Sequence, residues 1–448
     1  MNIDSLKRLY FVGIGGIGMS ALARYFNGLG IEVFGYDRVE TTLTKNLVAE
    51  GMQIHYEDRV DLIPEGIDMV VFTPAIPKEH KELQYFRANN FIIKKRAEVL
   101  GIISRNRKAI GVAGTHGKTT TSAILTHVLK TCEIDCTAFL GGIARNFESN
   151  FVEGSSEWVV MEADEFDRSF LQLNPDVAVI TSMDADHLDI YGDQAEMHKT
   201  FYQYIKQVKG QLYYRDGLPI EAKHNEEIEQ NPYGLEEGIV KATNVHVEDG
   251  YFVFDWSNGQ TSIKNLKFTL PGQHNVSNAT AAIAVAKQLG GSDEKIREAL
   301  LTFKGIQRRF EFVVREGEQV YIDDYAHHPT ELEAAILAAK TLYPNRKITG
   351  VFQPHLYSRT QDFVEGFAAA LDALDEVILL GIYPARELPI EGVTSKIIFD
   401  RMKNPNKVLI DKGELINELQ NRDLDVLMTL GAGDVGAMVS DIKKLVFR

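Results

Sequence analysis

The run Gly114-Thr115-His116-Gly117-Lys118-Thr119-Thr120-Thr121 follows directly on the apolar stretch Ala109-Ile110-Gly111-Val112-Ala113. A strand that ends in glycines and gives way to Lys-Thr at a helix start presents backbone N–H groups and a cation to polyphosphate oxygens. Gly114, Thr115, His116, Gly117 and Thr120 would form the cradle, Lys118 would neutralise the β- and γ-phosphates, and the Thr119 hydroxyl would hold magnesium. The spacing departs from G-x-x-x-x-G-K-[ST], because Val112 occupies the first glycine position and Gly114 comes two residues later. An ordinary strand-to-helix turn with a capping threonine is the competing reading. The complete Gly-Lys-Thr ending in a strand context favours the phosphate loop.

Such a loop needs acidic partners from neighbouring strands. Val159-Val160-Met161-Glu162-Ala163-Asp164-Glu165 supplies a buried strand that ends in carboxylates, with Glu162 the best metal-ligand candidate. The following strand runs through Ile180-Thr181-Ser182 into Asp184-Ala185-Asp186-His187, where His187 is a candidate ligand to a second divalent ion. Either acidic loop alone reads as a solvated loop or a helix cap. Two of them after consecutive strands, downstream of a phosphate loop, converge on one edge of a parallel sheet, where ligands bind.

Near the N-terminus, Gly13-Ile14-Gly15-Gly16-Ile17-Gly18 contains G-x-G-x-x-G after a strand, and Asp37 ends the next strand. Alone this is a dinucleotide fingerprint, open to any diphosphate-bearing nucleotide. A tight structural turn with Asp37 as a loop cap is the plain alternative. Further on, Asn275 and Asn278 open an alanine-rich helix as caps or as amide partners for a base. Arg308-Arg309 stands at a presumed domain junction. Asp323-Asp324-Tyr325-Ala326-His327-His328 and Phe352-Gln353-Pro354-His355-Leu356-Tyr357-Ser358-Arg359 follow successive strands, with each histidine open to a structural or a ligand role.

The elements that must position these groups are strands alternating with amphipathic helices, begun three times over, as in parallel α/β sheets. Strands are expected at 8–12, 31–37, 69–72, 108–113, 158–161 and 176–180, then at 319–323, 347–352, 376–380 and 425–430. Helices are expected at 278–288, 292–301, 330–343 and 359–374. The polar stretch Ser104-Arg105-Asn106-Arg107 reads as a linker, and Lys304-Gly305-Ile306 as a second junction. Alternation over 251–270, with an Asn258-Gly259 turn, predicts a small antiparallel addition. Domains are therefore expected at 1–107, 108–306 and 307–448.

Lys and Arg number 48 against 63 Asp and Glu, a net charge of -15, which disfavours a nucleic-acid surface and requires anions to be held locally. No stretch approaches the ~20 apolar residues of a membrane span. The beginning of the chain lacks the pattern of an export signal, and Cys132 and Cys136 have no partners elsewhere in the sequence. A cytoplasmic protein is expected.

Together the segments resemble the Mur ligases of peptidoglycan synthesis over essentially the whole chain. The markers are Gly13 to Ser20, Gly114 to Thr121, Glu162-Ala163-Asp164-Glu165, Asp186-His187, His274-Asn275 with Asn278, Arg308-Arg309-Phe310-Glu311 and Asp324-Tyr325-Ala326-His327-His328-Pro329. The resemblance implies a Rossmann-like domain for a UDP-sugar, a central P-loop ATPase-like domain, and a Rossmann-like C-terminal domain that closes over ATP and binds the amino acid. It implies that Gly15, Gly16 and Gly18, with Met19, Ser20, Asp37 and Thr73, hold the UDP-sugar, which displaces a nicotinamide reading. Asn275, Asn278 and Asp323 or Asp324 would contact the base or ribose of ATP, and Arg309 its phosphates.

The reaction so implied joins L-alanine to the lactyl carboxylate of UDP-N-acetylmuramate through an acyl phosphate, with ATP and Mg2+. Lys118, Glu162 and His187 would serve the phosphoryl transfer, with Thr119, Glu162 and His187 on the metal. His327, His328 and Arg359 would place the amino acid or the acyl phosphate. A monomer or homodimer acting on small molecules, without nucleic acid or membrane insertion, is the expected state. The chain departs from the family at Leu356, where a basic residue is common, at Thr73-Pro74, where Ser-Ser is common, and at Phe166, where a small polar residue is usual. A ligase adding a tripeptide to the same sugar nucleotide is the near alternative, and a nicotinamide-dependent oxidoreductase the distant one.

Overall fold

In the computed structural model, residues 5–184, 188–315, 319–385 and 387–447 are described. By its contacts the chain separates into two compact units. The first comprises Met1–Ala242, Trp256–Ile263 and Ser277–Leu300, and the second Thr243–Asp255, Lys264–Val276 and Leu301–Arg448.

The first unit holds an N-terminal parallel sheet in the order Gln53–His55, Glu32–Tyr36, Arg8–Val12, Met69–Phe72, Ile93–Lys95. Leu9 and Phe11 face one apolar cluster and Tyr10 and Val12 another, so the strand is buried on both faces, as a doubly wound sheet requires. The strand order reverses between Arg8–Val12 and Met69–Phe72. That is the switch point, and in sheets of this kind the crevice beyond it is the usual ligand position. The glycine turn and Thr73 lie on its two sides, and a Cβ built on Gly13 would stand 3.3 Å from Thr73 Cγ2.

The same unit holds the parallel core of the central sheet. Lys108–Ala113 lies between Val177–Ile180 and Trp158–Ala163, parallel to both. Gln211–Arg215 and Glu229–Leu235 extend it on one side, and Thr137–Ala144 with the antiparallel Ser149–Val152 on the other. The phosphate-loop run and both acidic loops therefore leave the same sheet edge.

Tyr251–Ser257 and Ser262–Phe268 occupy the region read as an antiparallel addition, and Val240–Glu248 precedes it. Asp249 and Gly250 both take positive φ, 52° and 78°, the geometry of a type I′ hairpin. At the expected Asn258-Gly259 turn, Asn258 N–H donates to Thr261 O at 3.2 Å. In the second unit a further sheet runs Glu311–Val314, Val320–Asp324, Val426–Leu430, Ile348–Phe352, Glu376–Leu379, Lys407–Leu409, parallel except for its first strand.

Three element readings need correction. Ser104 to Asn106 is not a linker, because the helix Arg96–Asn106 runs through it and Ser104 is fully buried with Oγ donating to Gly101 O. The helix expected from Asn278 starts at Gln273, a turn earlier. The single helix expected over 359–374 is two, Tyr357–Asp362 and Val364–Leu371, broken at Phe363 (φ -116°, ψ 22°), whose ring packs on His328.

Candidate active site

Two glycines set the shape of the phosphate-loop run. Gly114 has φ 134° and a Cβ there would meet Thr181 Oγ1 at 2.2 Å; Gly117 has φ 81° and sits against Asn278, whose Oδ1 is 3.0 Å from the position a Cβ would take. Any larger residue would be strained at both positions. The segment that follows the strand Val177–Ile180 locks it in place. His116 N–H donates to Ser182 Oγ at 2.7 Å, Thr115 Oγ1 and Ser182 Oγ lie 3.0 Å apart, and Asp184 N–H donates to Thr115 Oγ1 at 3.1 Å. Thr181 Oγ1 donates to His116 O.

Lys118 opens the helix Lys118–Thr131. Its ammonium donates to Gly114 O at 2.7 Å and to Glu165 Oε2 at 2.6 Å. Burial works against that charge, but the carboxylates of Glu165, Asp164 and Glu162 outweigh it and hold the lysine above its ordinary value. Thr119 Oγ1 lies 2.9 and 3.1 Å from the two Glu162 oxygens. Thr120 is buried behind the loop. Thus the loop run and the strand ending in Glu162 converge as the sequence reading expected. His187 lies outside the described residues.

Magnesium accepts few protein oxygens and keeps water and phosphate as its other ligands. The Thr119 hydroxyl beside the Glu162 carboxylate fits that demand. No group of three or more His, Cys, Asp or Glu gathers as a metal cage among the described residues. Gly141 is part of the fit, since a Cβ there would lie 2.1 Å from Glu162 Oε2. Sequence reasoning passed over Gly141; its signal was the Gly141-Gly142 pair within a strand. Glu165 was counted among the loop's carboxylates without a role, and Thr181 and Ser182 were read only as a strand end.

At the N-terminal crevice, Asp37 Oδ2 accepts from Gly15 N–H at 2.7 Å, so Asp37 holds the glycine turn. Gly16 precedes the helix Ile17–Gly28. Met19 and Ser20 are buried, with Ser20 Oγ donating to Ile17 O and Asn150 Nδ2 lying 2.9 Å from Ser20 Oγ. Contacts from this stretch to a ligand would come from its backbone. Across the turn, Gly18 faces Arg96, whose Nη2 donates to Asp164 Oδ2 at 3.2 Å.

In the second unit, Asn275 Nδ2 donates to Pro271 O at 2.5 Å, a local bond at the start of its helix. Asp323 is buried, accepting from Arg308 Nε at 3.2 Å and from Thr429 Oγ1 at 2.6 Å. Asp324 accepts from the N–H groups of Phe310 and Ala326, both at 2.7 Å, while burial pushes its carboxyl up to about 6. Arg308 also donates to Gly431 O at 2.6 Å, whereas Arg309 lies over the Tyr325 ring and 3.7 Å from Glu331. Burial lowers His327 to about 4, so its ring is neutral at physiological pH; its Nδ1 lies 3.0 Å from Tyr325 O. His328 caps the helix Pro329–Leu342 through its side chain. Arg359 is buried, with Nη1 3.4 Å from His355 Nδ1. His327 and His355 have ring centroids 6.0 Å apart, so His327, His355 and Arg359 do gather.

Models of the Mur ligase family match most of the chain. The catalytic domain matches residues 8–108, the middle domain 112–286 and the glutamate ligase domain 308–433. A UDP-N-acetylmuramate–L-alanine ligase of Flavobacterium psychrophilum is 49% identical over 450 residues, 99% of each chain. One of Porphyromonas gingivalis is 45% identical over 98% of this chain and 99% of its own. Among solved structures, a UDP-N-acetylmuramate–alanine ligase of Thermotoga maritima superposes with TM-score 0.83 at 29% identity, covering 98% of both chains. A murein peptide ligase of Psychrobacter arcticus shares the fold, with TM-score 0.72 at 20% identity and 98% coverage of both.

Proposed function

The chain belongs to the Mur ligase family, and we propose that it catalyses ATP-dependent joining of L-alanine to the lactyl carboxylate of UDP-N-acetylmuramate, a step of peptidoglycan biosynthesis. Relatives of that name align end to end at 44 to 49% identity. The tripeptide-adding alternative rests on solved structures at 20 to 25% identity and is the weaker reading. The observation that carries the chemistry is the convergence of Lys118, Thr119 and Glu162 on one sheet edge.

The carboxylate of the sugar nucleotide attacks the γ-phosphorus of ATP, the bond to the β,γ-bridging oxygen breaks, and ADP leaves. The amine of alanine then attacks the acyl phosphate, expels phosphate and loses a proton. Two anions must meet in the first step. Lys118, at the loop, offsets their repulsion and the charge that develops on the leaving oxygen. Thr119 and Glu162 would hold magnesium, which supplies further charge compensation. Asn278, beside Gly117, lies where it supports the loop or contacts the nucleotide.

Arg309 is assigned to ATP phosphate, and His327, His355 and Arg359 to the incoming amino acid. Arg359 is the natural carboxylate partner given Leu356. The three domains proposed are 1–107, 108–306 and 307–448. Among the described residues no helix is long and apolar enough to cross a membrane, and the proposed substrates are those of the cytoplasm.

Phosphate release from ATP with UDP-N-acetylmuramate and a panel of alanine, glycine, serine and murein tripeptide tests the assignment. Alanine should give the highest kcat/KM. Release with the tripeptide but not with alanine would replace this reading by the alternative.

A further inference from the structure

Arg96 stands between the two halves of the proposed reaction site, and neither the motifs nor the roles assigned above use it. It starts the helix Arg96–Asn106, directly after the strand Ile93–Lys95. Its guanidinium lies on Gly18 in the first turn of the helix Ile17–Gly28; a Cβ at Gly18 would come within 1.9 Å of Nη1. Among the described residues it also pairs with Asp164, Nη2 to Oδ2 at 3.2 Å. The side chain is only 26% exposed, yet most of its donors are unengaged.

A neighbouring arginine and a neighbouring lysine set the contrast. Arg24, on the same first helix, is spent on Glu50 through Nε and Nη2 and on Asn150 through Nη1. Lys95 is paired with Asp167 at 2.9 Å at the outer end of the acidic loop. Of these three, Arg96 is the one whose guanidinium lies at the helix start, against Gly18, with donors left over for a ligand among the described residues. A half-buried guanidinium with open donors, beside a helix N-terminus of the same polarity, is built for a bidentate oxyanion.

We propose that Arg96 is a substrate-binding residue that grips the diphosphate of the sugar nucleotide at the first turn of the helix Ile17–Gly28, while its bond to Asp164 ties that grip to the loop that follows Glu162 and carries Glu165. The proposal rests on the reading of the glycine turn as the diphosphate site. Asp164 is the fixed point, since its Oδ1 also accepts from Phe166 N–H at 3.2 Å within the loop. Gly18 lacks a side chain so that the guanidinium can reach the turn. The crowding there falls on the far end of a flexible side chain, so Gly18→Ala displaces Arg96 and spares the backbone.

The test is UDP binding by calorimetry, with the enzyme saturated by magnesium and a non-hydrolysable ATP analogue, alongside uridine binding by ligand-observed NMR. Wild type should bind UDP; failure to do so would overturn the glycine-turn reading itself. Arg96→Ala should weaken UDP by about 10- to 100-fold, leave uridine unchanged, and leave the affinity for the ATP analogue within about twofold of wild type. Arg96→Lys should recover part of the loss. Gly18→Ala should weaken UDP in the wild-type background and add nothing in the Arg96→Ala background. With wild type binding, equal UDP affinity in Arg96→Ala, an equal loss for uridine, or additive effects of the two substitutions would each overturn the role of Arg96.

Discussion

Lys118 Nζ and Glu165 Oε2 are 2.6 Å apart, and the carboxylate is only 1% exposed. The lysine assigned to the γ-phosphate is thus paired with a buried carboxyl group three residues beyond Glu162. Breaking a buried pair by removing one partner costs about 3 kcal/mol or more, because the other charge is left unpaired. Lys118→Ala is therefore expected to lose activity by on the order of 10³-fold and to unfold at a lower temperature. Lys118→Ala/Glu165→Gln should regain most of the stability and none of the activity, as read by thermal melts beside phosphate release. A double variant no more stable than Lys118→Ala would remove the pair from the account.

Gly141→Ala would place a methyl group against the Glu162 carboxylate. Displacing that carboxylate should raise the magnesium needed for half-maximal turnover and lower kcat by on the order of 10²-fold. Binding of UDP should be unaffected. A magnesium titration that matches wild type would take Glu162 out of the metal site.

Arg308 and Arg309 are neighbours in sequence with opposite fates. Arg308 pairs with buried Asp323 and donates to Gly431 O, so Arg308→Ala should cost about 3 kcal/mol of stability. Arg309, 30% exposed, 3.7 Å from Glu331 and over the Tyr325 ring, should lose less stability than Arg308 on substitution by Ala while the KM for ATP rises by about tenfold. Reversal of the two phenotypes would mean that the phosphate contact belongs to Arg308.

A pH effect is expected far from the phosphate loop. Glu82 is fully buried, and burial pushes its carboxyl up to about 7 against hydrogen bonds from the Tyr10 hydroxyl and the Arg59 N–H. With the folded pKa above the unfolded value of 4.5, folding favours the proton; that stabilisation is complete below 4.5 and is lost as the pH rises through about 7. Glu82→Gln carries no such charge. Its melting temperature relative to wild type should rise by a few degrees, for about 2 kcal/mol, between pH 5 and pH 8. A constant difference across that range would contradict the shift.

The parallel sheets and the glycine-set turn at 114–117 were legible because both depend on local pattern. Apolar runs such as Ala109 to Ala113 mark strands buried on both faces, and Gly114 and Gly117 mark backbone that only glycine adopts easily. What escaped depends on pairings distant in sequence. Nothing near Arg96 announces that it will lie on Gly18, and nothing in Gly141 announces Glu162. Asp37 illustrates a choice that sequence left open, since the structure ties it to Gly15 N–H as the holder of the turn. The break at Phe363 was hidden because the flanking helices keep one apolar pattern, and the Phe363 ring packs on His328, distant in sequence. Asp323 and Asp324 were recognisable as a polar strand end, but their engagement with Arg308, Thr429 and backbone N–H groups required the fold.

The central claim is that a carboxylate oxygen of the sugar nucleotide attacks ATP directly. UDP-N-acetylmuramate labelled with 18O in its lactyl carboxylate, incubated with ATP, magnesium and L-alanine, tests it by mass spectrometry of the released phosphate. The account requires one 18O atom per phosphate formed. Phosphate free of label, formed at the same rate as the amide, would show that no acyl phosphate lies on the path.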